Sequence, residues 1–445
     1  MSRFRGLAIR AATLVVLVLC SCGAGAGNNG SAGTGDLGLM QEVIRQIEKS
    51  YVAPVTGDVL VKDALRGMLS RLDPHSDFMD PQQYQQLVSA TRGEFGGIGI
   101  ELSLQGTVPQ VIAPIEGTPA AGAGIEPGDR IVRVDGQPTA GMDGEEIVKR
   151  LRGASGTRVT LTIARSDQPA FEVTLTRAIV HVVSVKSELK ANNIGYVRIS
   201  SFAENTPADL ASAITRLKQR ARGRLNGFIL DLRNDPGGLL DSAVAVAGDF
   251  IDGGTVVTTR GRDNRDDHVY TASVAGDLLQ GTPIVVLINS ASASAAEIVA
   301  GALQDHHRVT VMGTRSFGKG SVQSIIPLEG HGALRLTTAL YYTPSGRSIQ
   351  GQGIAPDVVV RLPKDQQVAN AVISYEKDLY GALKNGGSLT GNRGDAPAAE
   401  DSPAVESIDH PINPTLIGTA KDAQLGAAIQ YLESGAQHGS PPSRG

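Results

Sequence analysis

Three regimes of hydrophobic spacing follow one another along the chain. From Leu37 to Val88 apolar residues recur at helical intervals, first Leu39, Val43, Ile44 and Ile47, then Val59, Leu60, Ala64, Leu65, Met68 and Leu69. This spacing predicts amphipathic helices. Asp73-Pro74-His75-Ser76 interrupts them, and a further helix is expected to start near Pro81. His75 in that turn reads as a turn-bonding residue ahead of a catalytic one. From Phe95 to about Arg177 the pattern changes to short strands punctuated by Gly and Pro, with a helix at Glu145–Leu151 and a strand at Arg158–Ile163. Between 182 and 360 strands and helices alternate. Strands are expected at Ile194–Ile199, Phe228–Leu232, Ile284–Ile288, Val309–Met312, Val322–Pro327 and Ala333–Tyr342, and a helix at Pro207–Ala221. Phe228–Leu232 and Ile284–Ile288 read as buried, each entering a helix through a turn of small residues, near Leu239 and near Ser294. That is α/β organisation, which puts chemistry on the turns at strand ends.

Both ends of the chain break from this pattern. Arg3, Arg5 and Arg10 precede the apolar run Ala11–Leu19, followed by Cys20-Ser21-Cys22-Gly23. A basic start, a short apolar run and a small-residue boundary describe an export signal, too short for a comfortable membrane span. Leu19-Cys20-Ser21-Cys22 also resembles a lipoprotein cleavage box, which would make Cys22 the lipidated residue; ordinary cleavage without lipid is the alternative. Gly23–Gly35 reads as a tether. Gly386–Thr415, carrying a net −4, reads as a solvated linker, and Lys421–Leu432 as a final short helix. The expected division is therefore a leader (1–22), a tether (23–36), a helical region (37–92), a β-rich domain (93–180), an α/β core (181–362) and a C-terminal region (363–445).

Composition then narrows the chemistry. The 445 residues carry 41 basic and 45 acidic side chains, a balance that argues against a nucleic-acid binder. Cys20 and Cys22 are the only cysteines, so thiol nucleophiles, disulfides and thiolate zinc sites are excluded from the folded body. No metal or other cofactor is called for, and covalent catalysis must come from oxygen or nitrogen.

Three features of the α/β segment converge on such catalysis. In Asn289-Ser290-Ala291-Ser292-Ala293-Ser294-Ala295-Ala296-Glu297, Ser294 stands at the mouth of a helix, where the Ala295 N–H can stabilise an oxyanion. Taken alone, Ser294-x-x-Glu297 is equally a capping box. In Ser316-Phe317-Gly318-Lys319-Gly320, Lys319 is the single lysine between Lys218 and Lys364, in a stretch that otherwise uses arginine for charge. A desolvated lysine can act as a base and an arginine cannot. Gln323, four residues on, shares Lys319's face if the segment is extended. The lysine reads otherwise as a surface or phosphate-binding residue, although no P-loop pattern surrounds it. In Leu232-Arg233-Asn234-Asp235-Pro236-Gly237-Gly238, the two glycines either expose N–H groups to a substrate carbonyl or simply form a tight turn.

The series Gly96-Gly97-Ile98-Gly99-Ile100, Gly117-Thr118-Pro119-Ala120, Ala123–Ile131 and Val134-Asp135-Gly136 strongly resembles a PDZ domain of the bacterial protease type. The resemblance implies that Gly97, Ile98, Gly99 and Ile100 present N–H groups to a peptide's terminal carboxylate, the peptide adding as a strand. Together with Leu72-Asp73-Pro74-His75-Ser76, Tyr342-Thr343-Pro344-Ser345-Gly346 and Gly353-Ile354-Ala355-Pro356-Asp357, the three features make the chain from Leu37 to Val360 resemble the carboxyl-terminal processing peptidases. This resemblance implies an α/β peptidase core of the crotonase/Clp type, with Ser294 as nucleophile, Lys319 as base and Gln323 orienting the amine. Gly237, Gly238 and Ala295 would form the oxyanion hole. Asp305 matches an acidic position sometimes given a charge-relay role, though a Ser/Lys dyad needs none. Ala296 stands where the family commonly has a second serine. Arg152, on the turn after the PDZ helix, is a candidate gate that senses the docked peptide; a surface arginine is the alternative reading.

The function implied is a serine endopeptidase that engages exported proteins by their C-terminal ends, in the periplasm or otherwise outside the cytoplasm. Protein substrates with free C-termini, an adaptor protein, further copies of the chain and a membrane reached through the lipid anchor are the implied partners. The alternatives are a catalytically inactive PDZ adaptor, a crotonase-type lyase or hydratase, and a Ser-His-Asp hydrolase using His306 or His307. The last lacks a Gly-x-Ser-x-Gly elbow.

Overall fold

The computed structural model describes residues 34–104, 108–166, 168–263, 267–273, 276–368, 375–385 and 410–438. The leader, Cys22, most of the tether and the acidic linker up to residue 409 lie outside the described residues. No described helix is long and apolar enough to cross a membrane.

Residues up to Asp63 and residues from Ala64 onward form two units. The first holds α1 (Thr34–Ser50) and the start of α2 (Gly57–Leu69). The helix α1 begins inside the stretch expected to be tether. In the second unit, β1 (Asp77–Met79) leads to α3 (Pro81–Thr91), which starts at Pro81 as expected, with Asp80 and Gln83 in a reciprocal capping box.

The β-rich domain contains β2 (Glu94–Gly97), β3 (Ile100–Ser103), β4 (Gln110–Pro114), the one-turn α4 (Pro119–Gly122), β5 (Arg130–Val134), β6 (Gln137–Pro138), α5 (Gly144–Leu151), β7 (Arg158–Ala164), β8 (Phe171–Thr176) and β9 (Ala178–His181). Alternation explains β7: Val159, Leu161 and Ile163 are buried in this domain's own core with Ile131, Val134 and Ile147. Among the described residues β3 pairs only with β4, which leaves one edge of its sheet open.

The α/β core comprises β10 (Val185–Lys190), β11 (Ile194–Ile199), α6 (Thr206–Arg220), β12 (Gly227–Asp231), α7 (Leu240–Gly248), β13 (Thr255–Gly261), β14 (His268–Thr271), β15 (Ile284–Ile288), α8 (Ala295–Asp305), β16 (Thr310–Gly313), β17 (Ser321–Leu328), β18 (Gly332–Tyr342) and β19 (Val358–Val359). Its main sheet runs β10-β11-β12-β15-β16-β19, parallel from β11 onward. A second sheet runs β1-β18-β13-β14, with β17 on β18.

Both faces of the main sheet are covered. Phe228 and Leu230 of β12 and Ile284, Val286 and Ile288 of β15 join the core containing Leu210 of α6, Val246 of α7 and Val299 of α8. The intervening Ile229, Val285 and Leu287 pack with Leu425, Ala428 and Leu432 of the last helix, α9 (Ala423–His438). Buried parallel strands read as continuous apolar runs for this reason. The end of the expected linker is correspondingly not solvated. Ile412 is fully buried, the Val368 N–H bonds to the Pro411 carbonyl, and the Asn413 N–H bonds to the Gln366 carbonyl.

Candidate active site

The two strand–turn–helix units of the parallel sheet meet at the C-terminal ends of β12 and β15, where open α/β sheets place their ligands. Ser294 closes the second turn with φ 54° and ψ −113°. A side chain rarely adopts this region, at a cost of about 1–3 kcal/mol. Its N–H donates to Glu297 Oε2 at 2.8 Å, which is the glutamate's half of the capping geometry. The turn beneath is braced: Ser292 Oγ donates to the Leu232 carbonyl at 2.7 Å and accepts from the Asn289 N–H at 2.9 Å. Ser294 is 8% exposed.

The first turn is laced to the second. Asn289 Oδ1 accepts from the Asn234 N–H (3.0 Å), Asn289 Nδ2 donates to Asn234 Oδ1 (2.6 Å), and the Ala293 N–H donates to the Asp235 carbonyl (2.9 Å). Gly237 has φ +98°, and a Cβ there would stand 2.9 Å from Ser294 Cβ and from the Ala295 nitrogen. Only glycine permits this approach. The Gly237 N–H is already donated to Asp235 Oδ1 at 2.8 Å, so it faces an oxyanion only if that bond is given up. Gly238 is exposed, and among the described residues neither its N–H nor that of Ala295 is used in a turn or loop hydrogen bond. Asp235 Oδ2 is buried without a partner, and burial raises this carboxyl well above the ordinary carboxylate range.

Lys319 sits in the loop before β17, with its backbone held by the same glutamate. Glu297 Oε2 accepts from the Lys319 N–H (2.9 Å), and Oε1 accepts from the Gly318 N–H (2.7 Å) and the Ser316 hydroxyl (2.5 Å). Glu297 is thus a fully buried acceptor for four donors, joining the Ser294 turn to the lysine loop. Burial pushes it up to about 7 against the pull of those donors. Lys319's amine is held below its ordinary range first by burial and then by the Arg335 charge, with Glu376, Glu297 and Asp73 opposing. Among the described residues no hydrogen bond joins the amine to Ser294 or to Gln323.

Gln323 Nε2 instead donates to Ser321 Oγ (2.9 Å) and Thr337 Oγ1 (3.2 Å). The strand begins at Ser321, and its pairing slips at Val322/Gln323, which breaks the regular alternation by which Gln323 would share Lys319's face. The Thr337 hydroxyl donates to Asp73, which also accepts from the Ser76 hydroxyl and the His75 and Ser76 N–H groups. The Asp73–Ser76 turn therefore supports the site from outside the α/β core. The His75 ring contacts the buried Glu376 carboxylate at 2.8 Å, and Gln350 Nε2 donates to the same carboxylate at 3.0 Å. The position of Ser294, Gly237 and Lys319 was legible in the sequence. The joining role of Glu297 was not, because its spacing from Ser294 signals only a cap.

Asp305 does not support a charge relay. It ends α8, about 16 Å from Ser294 at 1.5 Å per residue. There it accepts the Ser345 N–H (2.9 Å) and pairs with Arg347 (2.5 Å), and its pKa is lowered because hydrogen bonds from Thr343 and Ser345 and the Arg347 charge outweigh its burial. His306 Nε2 lies against the Thr255 carbonyl at 2.7 Å, also at the far end of the helix, so no histidine base faces Ser294 from this segment.

In the β-rich domain, Gly99 has φ +76°, and a Cβ there would collide with Thr118. Among the described residues neither the Ile98 nor the Gly99 N–H is used in a turn or loop hydrogen bond, beside the open edge of β3. Arg152 stacks its guanidinium 4.9 Å from the Phe95 ring centre, one residue from Gly96 and two from Gly97.

The chain matches peptidase family S41 over residues 193–360 and a PDZ domain over residues 110–165. It is 44% identical over 376 residues to a carboxy-terminal-processing protease of Bartonella bacilliformis, covering 84% of this chain and 86% of the relative. It is 34% identical over 357 residues to the carboxy-terminal processing protease CtpA of Bacillus subtilis, covering 80% and 76%. Among solved structures, a photosystem II D1 C-terminal processing protease aligns at 31% identity over 74% of this chain and 94% of that one, with a TM-score of 0.44. Nothing in these likenesses favours an inactive adaptor. Identity at the level of the Bartonella relative, across more than four-fifths of both chains, makes this chain a member of peptidase family S41 and, within it, a PDZ-containing serine protease of the carboxy-terminal-processing kind.

Proposed function

We propose that Ser294 is the nucleophile and Lys319 the general base of an exported endopeptidase that engages proteins by their C-terminal ends. The observation that carries this reading is the strained backbone of Ser294, packed against Gly237 at the mouth of α8. Such strain persists where a side chain must be presented to a substrate. Ser294 Oγ attacks the scissile carbonyl carbon while its proton passes to neutral Lys319 Nζ. The oxyanion is met by the Ala295 and Gly238 N–H groups, and by Gly237 once Asp235 releases it. Lys319 then protonates the leaving amine. Water, deprotonated by the same amine, hydrolyses the acyl ester and regenerates Ser294. The amine reaches Ser294 by side-chain movement, while its flanking glycines let the loop pack against residues 350–353. Gln323 acts on it through the Thr337–Asp73 network rather than by direct contact.

The Gly97–Ile100 loop receives the substrate's terminal carboxylate, and the peptide extends along β3. Arg152, above Phe95 beside this loop, is placed to sense it. Export by the leader, anchoring through Cys22, an adaptor and self-association complete the reading. The test uses one peptide in free-acid and C-terminally amidated forms, with wild type, Ser294→Ala and Lys319→Arg. Wild type should prefer the free acid, and both variants should lose hydrolysis by about 10³-fold or more while still binding it. Substantial hydrolysis by folded Lys319→Arg would sink the dyad. Indifference to amidation would sink C-terminal reading.

A further inference from the structure

Arg233 is the largest fully buried side chain among the described residues, and its charge is met both by its own strand end and by a segment 189 residues on. Asp231, at the end of β12, accepts from Nε at 2.9 Å and from Nη2 at 2.6 Å. Asp422, just before α9, accepts from Nη1 at 2.9 Å and from Nη2 at 2.6 Å, while Gln424 Oε1 accepts from Nη1 at 3.0 Å. Tyr196 completes the Asp231 side by donating to Oδ2 at 2.8 Å. A guanidinium buried this deeply is held by its carboxylates rather than by water; removing the Asp422 charge leaves Asp231 to balance it but strips the charge-assisted bonds from Nη1 and from one side of Nη2.

The next residue after Arg233 is Asn234, which opens the turn packed against Ser294. Asn234 Nδ2 donates to the Ile412 carbonyl at 2.9 Å, so the chain beyond the acidic linker grips this turn at two adjacent residues. Asp422 is itself anchored: it accepts from the Gly418 N–H and from the Leu425 N–H in the first turn of α9, both at 3.0 Å. All of these C-terminal residues lie past residue 360, where the family match ends.

We propose that Asp422 is a positioning residue for catalysis, acting through Arg233 to set how the Asn234–Gly238 turn meets Ser294. The chain from about residue 410 is then part of the peptidase core, not an appendage to it. This rests on the reading of that turn as the element that stabilises the oxyanion. A group that positions such donors affects turnover more than peptide capture, which the PDZ loop performs elsewhere.

The experiment measures kcat and KM separately for a free-acid peptide with the full-length protein, alongside its melting temperature. Asp422→Asn keeps the shape and removes the charge, and should lower kcat at least tenfold with KM within twofold. Leu432→Ala loosens α9 where Leu432 packs on Gly227, at the opposite end of β12 from Arg233. It should lower the melting temperature but keep kcat within twofold at a temperature where it is folded. The proposal is overturned if Asp422→Asn keeps its kcat, or if Leu432→Ala loses as much kcat for the same loss of stability. Should Asp422→Asn fail to fold, Gln424→Leu decides, because it removes a neutral bond from Nη1, together with the Nε2 bond to the Val360 carbonyl, and leaves both carboxylates on Arg233; its melting temperature is matched against that of Leu432→Ala. A kcat reduced at least threefold at constant KM supports the proposal, and an unchanged kcat overturns it. Failure of the underlying dyad would show separately, as hydrolysis by Ser294→Ala or Lys319→Arg in the same assay.

Discussion

The Ser294 turn and the lysine loop are built to opposite specifications. Around Ser294 the backbone is strained, the side chain is nearly enclosed, and Asn234, Asn289 and Ser292 hold the neighbouring turns by short hydrogen bonds. Around Lys319 the backbone is fixed just as firmly by Glu297, yet the amine makes no hydrogen bond to Ser294 or Gln323 among the described residues. The difference teaches where order is needed before substrate arrives. An oxyanion site must be preorganised, since reorganising dipoles during reaction forfeits their benefit. A base on a long side chain needs only a lowered pKa and a clear path. Glu297 reconciles the two by anchoring both backbones to one carboxylate while touching neither reactive atom.

Breaking that shared anchor should have the largest effect. Glu297→Gln would turn an amide N–H₂ toward backbone N–H groups that now share a carboxylate, and kcat should fall by about 10²-fold or more, on the scale of losing an oxyanion donor. The same variant sharpens the electrostatics. Burial has pushed Glu297 up to about 7 from 4.5, so between these values the folded chain holds a proton that the unfolded chain has released. Its contribution to stability is therefore fully present below pH 4.5 and is lost as pH rises through about 7. A plot of melting temperature against pH should be flatter over that window for the Gln variant. An unchanged slope would mean that Glu297 is ionised throughout.

Gly237→Ala tests the contact between the two turns and should act less strongly. The added Cβ would stand 2.7 Å from the Ala293 carbonyl oxygen and 2.9 Å from Ser294 Cβ, on a backbone with φ +98°. Strain of about 1–3 kcal/mol is expected, with kcat down roughly 10- to 100-fold and peptide binding by the PDZ loop unchanged. Equal losses in binding and turnover would place the damage in the fold as a whole. The smallest effect belongs to Asp305→Asn, which removes an ion pair with the half-exposed Arg347 far from Ser294. Stability should drop by about 0.2–1 kcal/mol with kcat within twofold of wild type. A large kcat loss at unchanged stability would reinstate a relay role.

Much of this was legible before any coordinates. Hydrophobic period alone gave Ile194–Ile199 and Ile284–Ile288 to the residue, because strands buried on both faces are short, apolar and bounded by turn residues. The proline start of α3 was equally local. β10, β13 and β14 were not legible, since Val185–Lys190 and His268–Thr271 mix polar and apolar residues without a clean alternation. The expected Gln323–Lys319 contact failed for a related reason. It needs unbroken two-residue alternation, and the pairing with β18 slips between Val322 and Gln323.

What the sequence by itself determined were the properties carried by neighbouring residues: helix starts, buried strands, a serine at a helix mouth, a lone lysine between glycines, and the absence of cysteine beyond Cys22. Only the tertiary structure decided which distant groups share a charge or a hydrogen bond. Glu297 with the lysine loop, Asp73 with Thr337, and Arg233 with Asp422 across 189 residues are pairings that no local period encodes. The physical reason is that a buried polar group must find partners wherever the fold brings them, and that requirement acts through space rather than along the chain.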